Sequence, residues 1–231
     1  MKESDKLCDL QSCFLCQYSL KEWLPAIGVH KKNFLVKKGQ QLFREGDPVN
    51  GIFFVYKGSV KVHKKWDREK ELIIRFAKRG DIVGHTGLGD NPVYPVTATA
   101  IEPSVICYLE TDFFETTLQV NTNLTYKLMR FFANELQESE KRMRNLAHMS
   151  VKARIAQSLI TLKTQFGLTE TGFIDIELTR QDLASFAAAS YETLFKVMND
   201  FVHDKLIITT GKSIRITNEE MLYKLVKEDN L

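Results

Sequence analysis

The sequence predicts an α+β protein: a β-rich sandwich or barrel, then one long helix, then a winged helix-turn-helix. Three observations carry that prediction. Between about positions 33 and 110, short β-rich runs such as "GIFFVYKG" and "ELIIRFAKRG" are punctuated by glycines at 39, 46, 51, 58, 80, 84, 87 and 89, the texture of a compact all-β domain. Residues 112–147 hold neither Gly nor Pro, and apolar residues recur at steps of three or four, which marks an amphipathic helix. Near the C-terminal end, "LTRQDLASFAAASYETLFKVMND" gives two short helical runs around one small-residue turn, and "LIITTGKSIRIT" follows.

The expected parts are a cysteine-containing segment over 1–30, a β-domain over 31–120, the long helix over 121–148 and the winged helix-turn-helix over 149–231. Gly58 and Gly80 are expected at turns that need positive φ. On the long helix, Leu124, Leu128, Phe132, Leu136, Ser139 and Met143 form a near-heptad seam, and a helix with one such seam predicts a parallel homodimer. The pattern breaks at "AHMS", with Ser150 placed to cap a new helix.

Thr179 followed by Asp182 is a helix-start pair, the hydroxyl accepting a backbone N–H. Leu183, Ala184, Phe186 and Ala187 give the first helix its buried face. Ser190 is a second N-cap, and Leu194, Val197, Met198 and Phe201 form the second apolar stripe. The second helix would then expose Tyr191, Glu192, Lys196 and Asn199 near its start, where a recognition helix meets base edges. Leu206, Ile208, Ile214 and Ile216 alternate around Gly211-Lys212, a hairpin pattern. Its tip carries Lys212, suited to a phosphate.

A formal charge of +3 is too small to identify a nucleic-acid binder, so a basic surface must be local. The N-terminus has no apolar signal region, and no apolar run reaches the roughly 18 residues that span a bilayer. A cytoplasmic protein without a membrane partner is the expectation. Four cysteines in that setting are reduced thiols or ligands rather than disulfides. His30, His63, His85, His148 and His203 are scattered, and neither HExxH nor GxSxG occurs, so no enzyme is expected.

From Phe34 to Thr217 the chain resembles the CRP/FNR family of bacterial transcription regulators. The residues that carry the likeness are "KKGQQLFREGDPVNGIFFVYKGSVKV" at 37–62, "NLAHMSVKARIAQSL" at 145–159, and the "LTRQDLA" and "SYETLFKVM" runs. The resemblance implies a cyclic-nucleotide-binding-like β-roll, double-stranded and jelly-roll-like. It also implies sequence-specific binding of double-stranded DNA at an inverted repeat as a homodimer, with RNA polymerase a partner if the output is activation. Matched residue by residue, Thr179, Arg180, Gln181, Ser190 and Thr193 fall on phosphate contacts. Glu192 falls on the acidic base reader, and Lys196 stands where the family usually has a base-reading Arg. Tyr191 replaces an Arg of cyclic-AMP-responsive members. Ala188 replaces the usual turn glycine, where a left-handed backbone costs about 1 kcal/mol.

The effector end departs from the cyclic-AMP branch. In "VGHTGLGDNPVYPVTATA", His85 stands at the Glu that would hold ribose, and Tyr94 and Pro95 stand at the Arg-Ser pair that would hold phosphate. Glu138 replaces a Thr of the long helix. Without the Arg, an anionic phosphate lacks its charge-assisted partner, so cyclic AMP is not the expected effector. The pocket candidates are Gly84, His85, Thr86, Tyr94 and Glu138, with the glycines able to cradle another anion. Cys107 falls on the distant cluster ligand of the oxygen-sensing FNR branch, and Cys13-x-x-Cys16 matches part of its N-terminal motif. That branch has a further Cys where Glu22 stands nearby, so Cys8 would have to serve. An iron–sulfur cluster on Cys8, Cys13, Cys16 and Cys107 stands beside three other readings: zinc, disulfide chemistry, or a buried Cys107 with loosely ordered N-terminal thiols. A nucleotide-binding module that controls a protein partner is a further alternative, opposed by the winged helix and the missing phosphate groups.

Overall fold

The computed structural model describes residues 1–3, 9, 13–65 and 71–228. They divide into two compact units. The first holds Met1–Lys65 and Ile74–Glu135, and the second runs from Leu136 to the C-terminal end and takes in residues 71–73.

In the first unit two antiparallel sheets face each other. One has the order β1 (Lys2–Glu3), β2 (Lys32–Val36), β9 (Ser104–Glu110), β4 (Gly51–Lys57), β7 (Ile82–Val83); the other runs β3 (Gln41–Phe43), β8 (Thr97–Ala100), β5 (Val60–Lys65), β6 (Glu71–Ala77), the last with only residues 74–77 in this unit. This is the expected β-roll. Gly58 and Gly80 turn the chain at φ +88° and +94°. A Cβ on Gly58 would lie 2.3 Å from the Ser104 hydroxyl oxygen, so packing as well as dihedral demands glycine there.

Between the sheets lies a core of aliphatic side chains from both, with Phe43, Phe53 and Tyr94 among them. On the outer face of the five-stranded sheet a second core gathers Ile52, Phe54, Ile82 and Leu109 with side chains from the helices that flank the roll. Those helices are α1 (Phe14–Tyr18), α2 (Leu24–His30), α3 (Thr111–Val120) and α4 (Thr122–His148).

The Gly/Pro-free stretch is two helices rather than one. Asn121 separates them with φ −108° and ψ 78°. Its buried side chain donates to the Thr117 carbonyl at 2.8 Å and accepts from the Leu20 amide at 2.7 Å. A side-chain amide that satisfies both local and distant backbone groups competes with helix continuation, and composition alone hides that break.

The dimer seam needs a correction. Leu124 is 0% exposed and Leu128 is buried beside it, both in the core that contains Phe114, Ile27 and Leu15. They serve the single chain, because the first turns of α4 lie on the roll. The large apolar side chains that α4 leaves exposed are Tyr126, Met129, Phe132, Leu136 and Met143. With the exposed Ser139, those from Met129 onward keep steps of three and four, so the heptad survives with its start moved to Met129.

Helix α4 ends at His148, and the Ser150 hydroxyl accepts from the Ala153 amide at 3.2 Å to open α5 (Val151–Phe166). Then follow α6 (Arg180–Ala187), α7 (Tyr191–His203), the hairpin β10 (Ile207–Thr210) and β11 (Ser213–Ile216), and α8 (Glu219–Glu228). The register pairs Thr210 with Ser213 around Gly211-Lys212. Gly211 at φ +58° is the first central residue that a two-residue hairpin turn prefers as glycine. The expected alternation slips by one at the first strand. Ile207 is buried and Ile208 exposed, because Lys205 at φ +57° ends α7 and the Leu206 amide returns to the Phe201 carbonyl, a helix stop that consumes Leu206 before the strand begins. No described helix is long and apolar enough to cross a membrane.

The two faces of α4 are separable by stability. Leu124→Ala should lower the unfolding free energy by about 2–5 kcal/mol, as for a buried leucine truncated in a packed core. Leu136→Ala should leave a dilute, dissociated chain within about 0.5 kcal/mol of wild type. Urea titrations at low protein concentration measure both.

Candidate nucleic-acid interface

Helix α6 starts at an N-cap. Thr179 Oγ1 accepts from the Asp182 amide at 3.0 Å and donates to the Asp182 carboxylate at 2.6 Å. The cap consumes the Thr179 hydroxyl, and Gln181 beside it is exposed. Ser190 caps α7 in the same way, accepting from the Thr193 amide at 3.1 Å, and its hydroxyl donates to Thr193 Oγ1 at 3.0 Å. The Glu192 backbone amide, with the Ser190 hydroxyl dipole nearby, holds the Glu192 carboxyl below its usual range. A carboxylate in the first turn also suits the positive end of the helix dipole.

The turn between α6 and α7 depends on two arginines that the sequence reading did not single out. Ala188 sits in the left-handed region, at φ 50° and ψ 48°, the strain expected where glycine is usual. Around it the last carbonyls of α6 receive guanidinium donors. Arg142 from α4 donates to the Phe186 carbonyl at 2.7 Å and lies 4.9 Å over the Phe186 ring. Arg154 from α5 donates to Ala187 at 3.2 Å, Ala188 at 3.0 Å and Met149 at 2.9 Å. Burial lowers the Arg142 pKa to about 10, which leaves it charged at neutral pH. A cation at a helix C-terminus meets both the orphan carbonyls and the dipole.

With the turn fixed, Leu194, Val197, Met198 and Phe201 bury one side of α7, and Tyr191, Glu192, Lys196 and Asn199 are exposed on the other. Phe195 joins them at 54% exposure. Sequence reading passed over it because it adjoins the buried Leu194; its place one helical turn after Tyr191, outside the buried stripe, was the available signal.

The wing carries Lys212, exposed at its tip. Arg180 is placed otherwise than expected. One guanidinium nitrogen donates to the Gly211 carbonyl at 3.1 Å, and another is buried without a hydrogen-bond partner among the described residues. Partial burial accordingly lowers its pKa. In this structure Arg180 fastens α6 to the wing tip rather than standing free for a phosphate.

The sensor candidates separate. Tyr94 stacks on Phe43 with centroids 3.9 Å apart and donates to the Gly51 carbonyl at 2.6 Å; desolvation pushes its pKa up to about 12. Two of the three glycines are closely packed: a Cβ on Gly84 would lie 3.1 Å from the Tyr94 ring and one on Gly87 2.4 Å from Val49, while one on Gly89 would meet nothing within 4 Å. Thr86 is exposed on the short turn His85–Gly87. Glu138 belongs to the second unit, exposed and 3.8 Å from Lys141.

His85 is 2% exposed, with both ring nitrogens lacking a hydrogen-bond partner among the described residues. Its ring meets Phe131 and Phe132 of α4 edge-on at 4.9 and 5.2 Å. Desolvation, with help from the Arg75 charge, lowers its pKa to about 3.

Cys13, Cys16 and Cys107 lie buried in one apolar core, the Cys107 thiol donating to Asn33 Oδ1 at 3.1 Å. Cys8 lies outside the described residues. Among the described residues no three His, Cys, Asp or Glu side chains converge as metal ligands. The three described thiols share one apolar core, and the four-cysteine reading turns on Cys8, outside the described residues.

Comparison with known proteins gives matches over both units. The cyclic nucleotide-binding domain family matches residues 34–121, and the Crp-like helix-turn-helix domain family matches residues 153–225. The transcriptional activator protein FnrA of Stutzerimonas stutzeri is 27% identical over 215 residues, covering 91% of this chain and 87% of that protein. The cAMP-activated global transcriptional regulator CRP of Salmonella typhimurium is 30% identical over 178 residues, covering 75% of this chain and 83% of that one. Among solved structures, FixK2 from Bradyrhizobium japonicum superposes with TM-score 0.75 at 21% identity, over 84% of this chain and 96% of that chain. A CooA variant from Carboxydothermus hydrogenoformans gives 0.77 at 16% identity, over 96% and 98%.

His85 has a measurable signature. Unfolded, it takes a proton below pH 6.5; folded, it resists until about pH 3. The folded state is therefore penalised as pH falls from 6.5 toward 3, with no effect above 6.5. Relative to His85→Leu, the wild type should lose about 2 kcal/mol of stability between pH 7 and pH 5, read from paired urea titrations.

Proposed function

The chain belongs to the CRP/FNR family of DNA-binding transcription regulators, and from that premise we propose that two copies bind an inverted-repeat operator, helix α7 of each reading one half-site. The observation that carries this reading is α7 itself. Its N-cap, its buried stripe and the arginine-held turn before it leave Tyr191, Glu192, Lys196 and Asn199 together on one exposed side. Glu192 accepts from a cytosine amino group, and Lys196 donates to a guanine edge as a point charge without the planar fork of Arg. Gln181, Thr193 and Lys212 face the phosphates, joined by the cap residues Thr179 and Ser190. Arg180 positions the wing.

Dimerisation runs through the outer side of α4, with Met129, Phe132, Leu136, Ser139 and Met143 as the seam. Two-fold symmetry then sets half-site centres about 34 Å apart, one helical turn of DNA. The protein acts on cytoplasmic DNA. The effector of its β-domain is not cyclic AMP, because Tyr94 stacks on Phe43 inside the roll and spends its hydroxyl on Gly51 where a phosphate would need a cation.

Selection from random duplexes tests the reading. The wild type should recover an inverted repeat, and Glu192→Ala should lose preference at one base pair per half-site, by about 1–3 kcal/mol. Unaltered base preference in Glu192→Ala would show that α7 does not read the operator. Leu136→Lys should sediment as a folded monomer, since like charges would face each other across the seam. Saturating cyclic AMP should leave the thermal midpoint unchanged; a rise would overturn the effector assignment.

A further inference from the structure

Tyr191 and Phe195 are 45% and 54% exposed, one turn apart on α7, with ring centroids 6.5 Å apart and planes 15° from parallel. They form an apolar ladder beside a charged one, Glu192 and Lys196, at the same i,i+4 spacing. Two large aromatics kept in water at the start of a recognition helix have no part in the buried stripe, which is complete with Leu194, Val197, Met198 and Phe201. Exposed apolar surface rimmed by polar groups marks a contact. In the major groove the base edges are donors and acceptors with one apolar exception, the C5-methyl group of thymine.

We propose that Tyr191 and Phe195 clasp a thymine methyl group, so that each half-site requires a T next to the base pair read by Glu192. This rests on α7 being the recognition helix. The aromatic pair supplies specificity that the donors and acceptors of Glu192 and Lys196 cannot, because a methyl makes no hydrogen bond. Phe195 is the specificity-determining residue, with Tyr191 stacked against it to hold its ring orientation.

The test separates the methyl from the base pair. On the operator recovered by selection, each thymine of a half-site is replaced in turn by uracil, which keeps every pairing atom and removes only the methyl. Dissociation constants of the full-length protein are measured by fluorescence anisotropy at one fixed salt concentration. One uracil position should weaken the wild type by about fourfold in one half-site and about fifteenfold in both, the equivalent of one buried methyl-sized group per half-site. Phe195→Ser should bind thymine and uracil operators alike, and Phe195→Leu should restore part of the difference. Cytosine in place of that thymine should weaken binding, and 5-methylcytosine should recover part of the loss if the methyl itself is sensed. A wild type indifferent to uracil at every position, or a Phe195→Ser variant with the full uracil penalty, overturns the methyl contact while leaving α7 as the reader. A wild type that selects no sequence overturns base reading by α7 altogether.

Discussion

The C-terminal end of α6 is the point on which the DNA-binding unit depends. Three successive carbonyls, those of Phe186, Ala187 and Ala188, accept from Arg142 and Arg154. They do so just where Ala188 takes a left-handed backbone without the freedom of glycine. The strain of that residue is about 1 kcal/mol, and hydrogen bonds to charged donors are each worth about 1.5–3 kcal/mol. The arginines therefore outweigh the strain and fix the angle at which α7 leaves the turn. Because one comes from α4 and the other from α5, the start of α7 is set by the last turns of α4 and by α5 as well as by the turn sequence.

That arrangement gives α4 three tasks along its length. Its first turns place Leu124 and Leu128 in the core of the β-domain unit. Its middle presents Phe131 and Phe132 to His85, and Glu135 pairs with Arg75 at 3.0 Å. Its last turns deliver Arg142 to α6. A neutral imidazole without a hydrogen-bond partner among the described residues, edge-on to two phenyl rings, is costly to bury. The enclosing side chains of α4 and the β-domain keep it there, so the packing of this patch is sensitive to any displacement of the helix. The interior of the roll is settled differently, by Tyr94 on Phe43 and by glycines that let the backbone approach those rings. The unit that matches the cyclic nucleotide-binding domain family thus carries an aromatic stack in its interior.

Much of this was legible in the sequence because it is local. Thr179 with Asp182, Ser150 and Ser190 as caps, Gly58 and Gly80 at turns, and Gly211-Lys212 as a hairpin tip each follow from chemistry within four residues of the position concerned. The α+β order of roll, long helix and winged helix-turn-helix followed from those signals and from hydrophobic period, and with it the exposed side of α7 and the family. Phe195 was legible in principle, since period alone sets it outside the buried stripe.

Tertiary structure decided what depends on distant partners. Period shows that α4 is amphipathic, but not which apolar residues meet the chain's own roll and which stay outside; Leu124 and Leu128 turn inward because Phe114, Ile27 and Leu15 are there to meet them. The break at Asn121 needs the Leu20 amide 101 residues earlier in the chain. Arg142, Arg154 and Arg180 read as surface charges until the carbonyls of Phe186, Ala188 and Gly211 are brought within 3.1 Å of them. Spacing marked Cys13, Cys16 and Cys107 as possible ligands, and only the fold brings Cys107 into the same apolar core as the other two. A helix cap or a turn is a bargain between neighbours in sequence, whereas a buried cation, a seam or a filled pocket depends on groups that only the folded chain assembles.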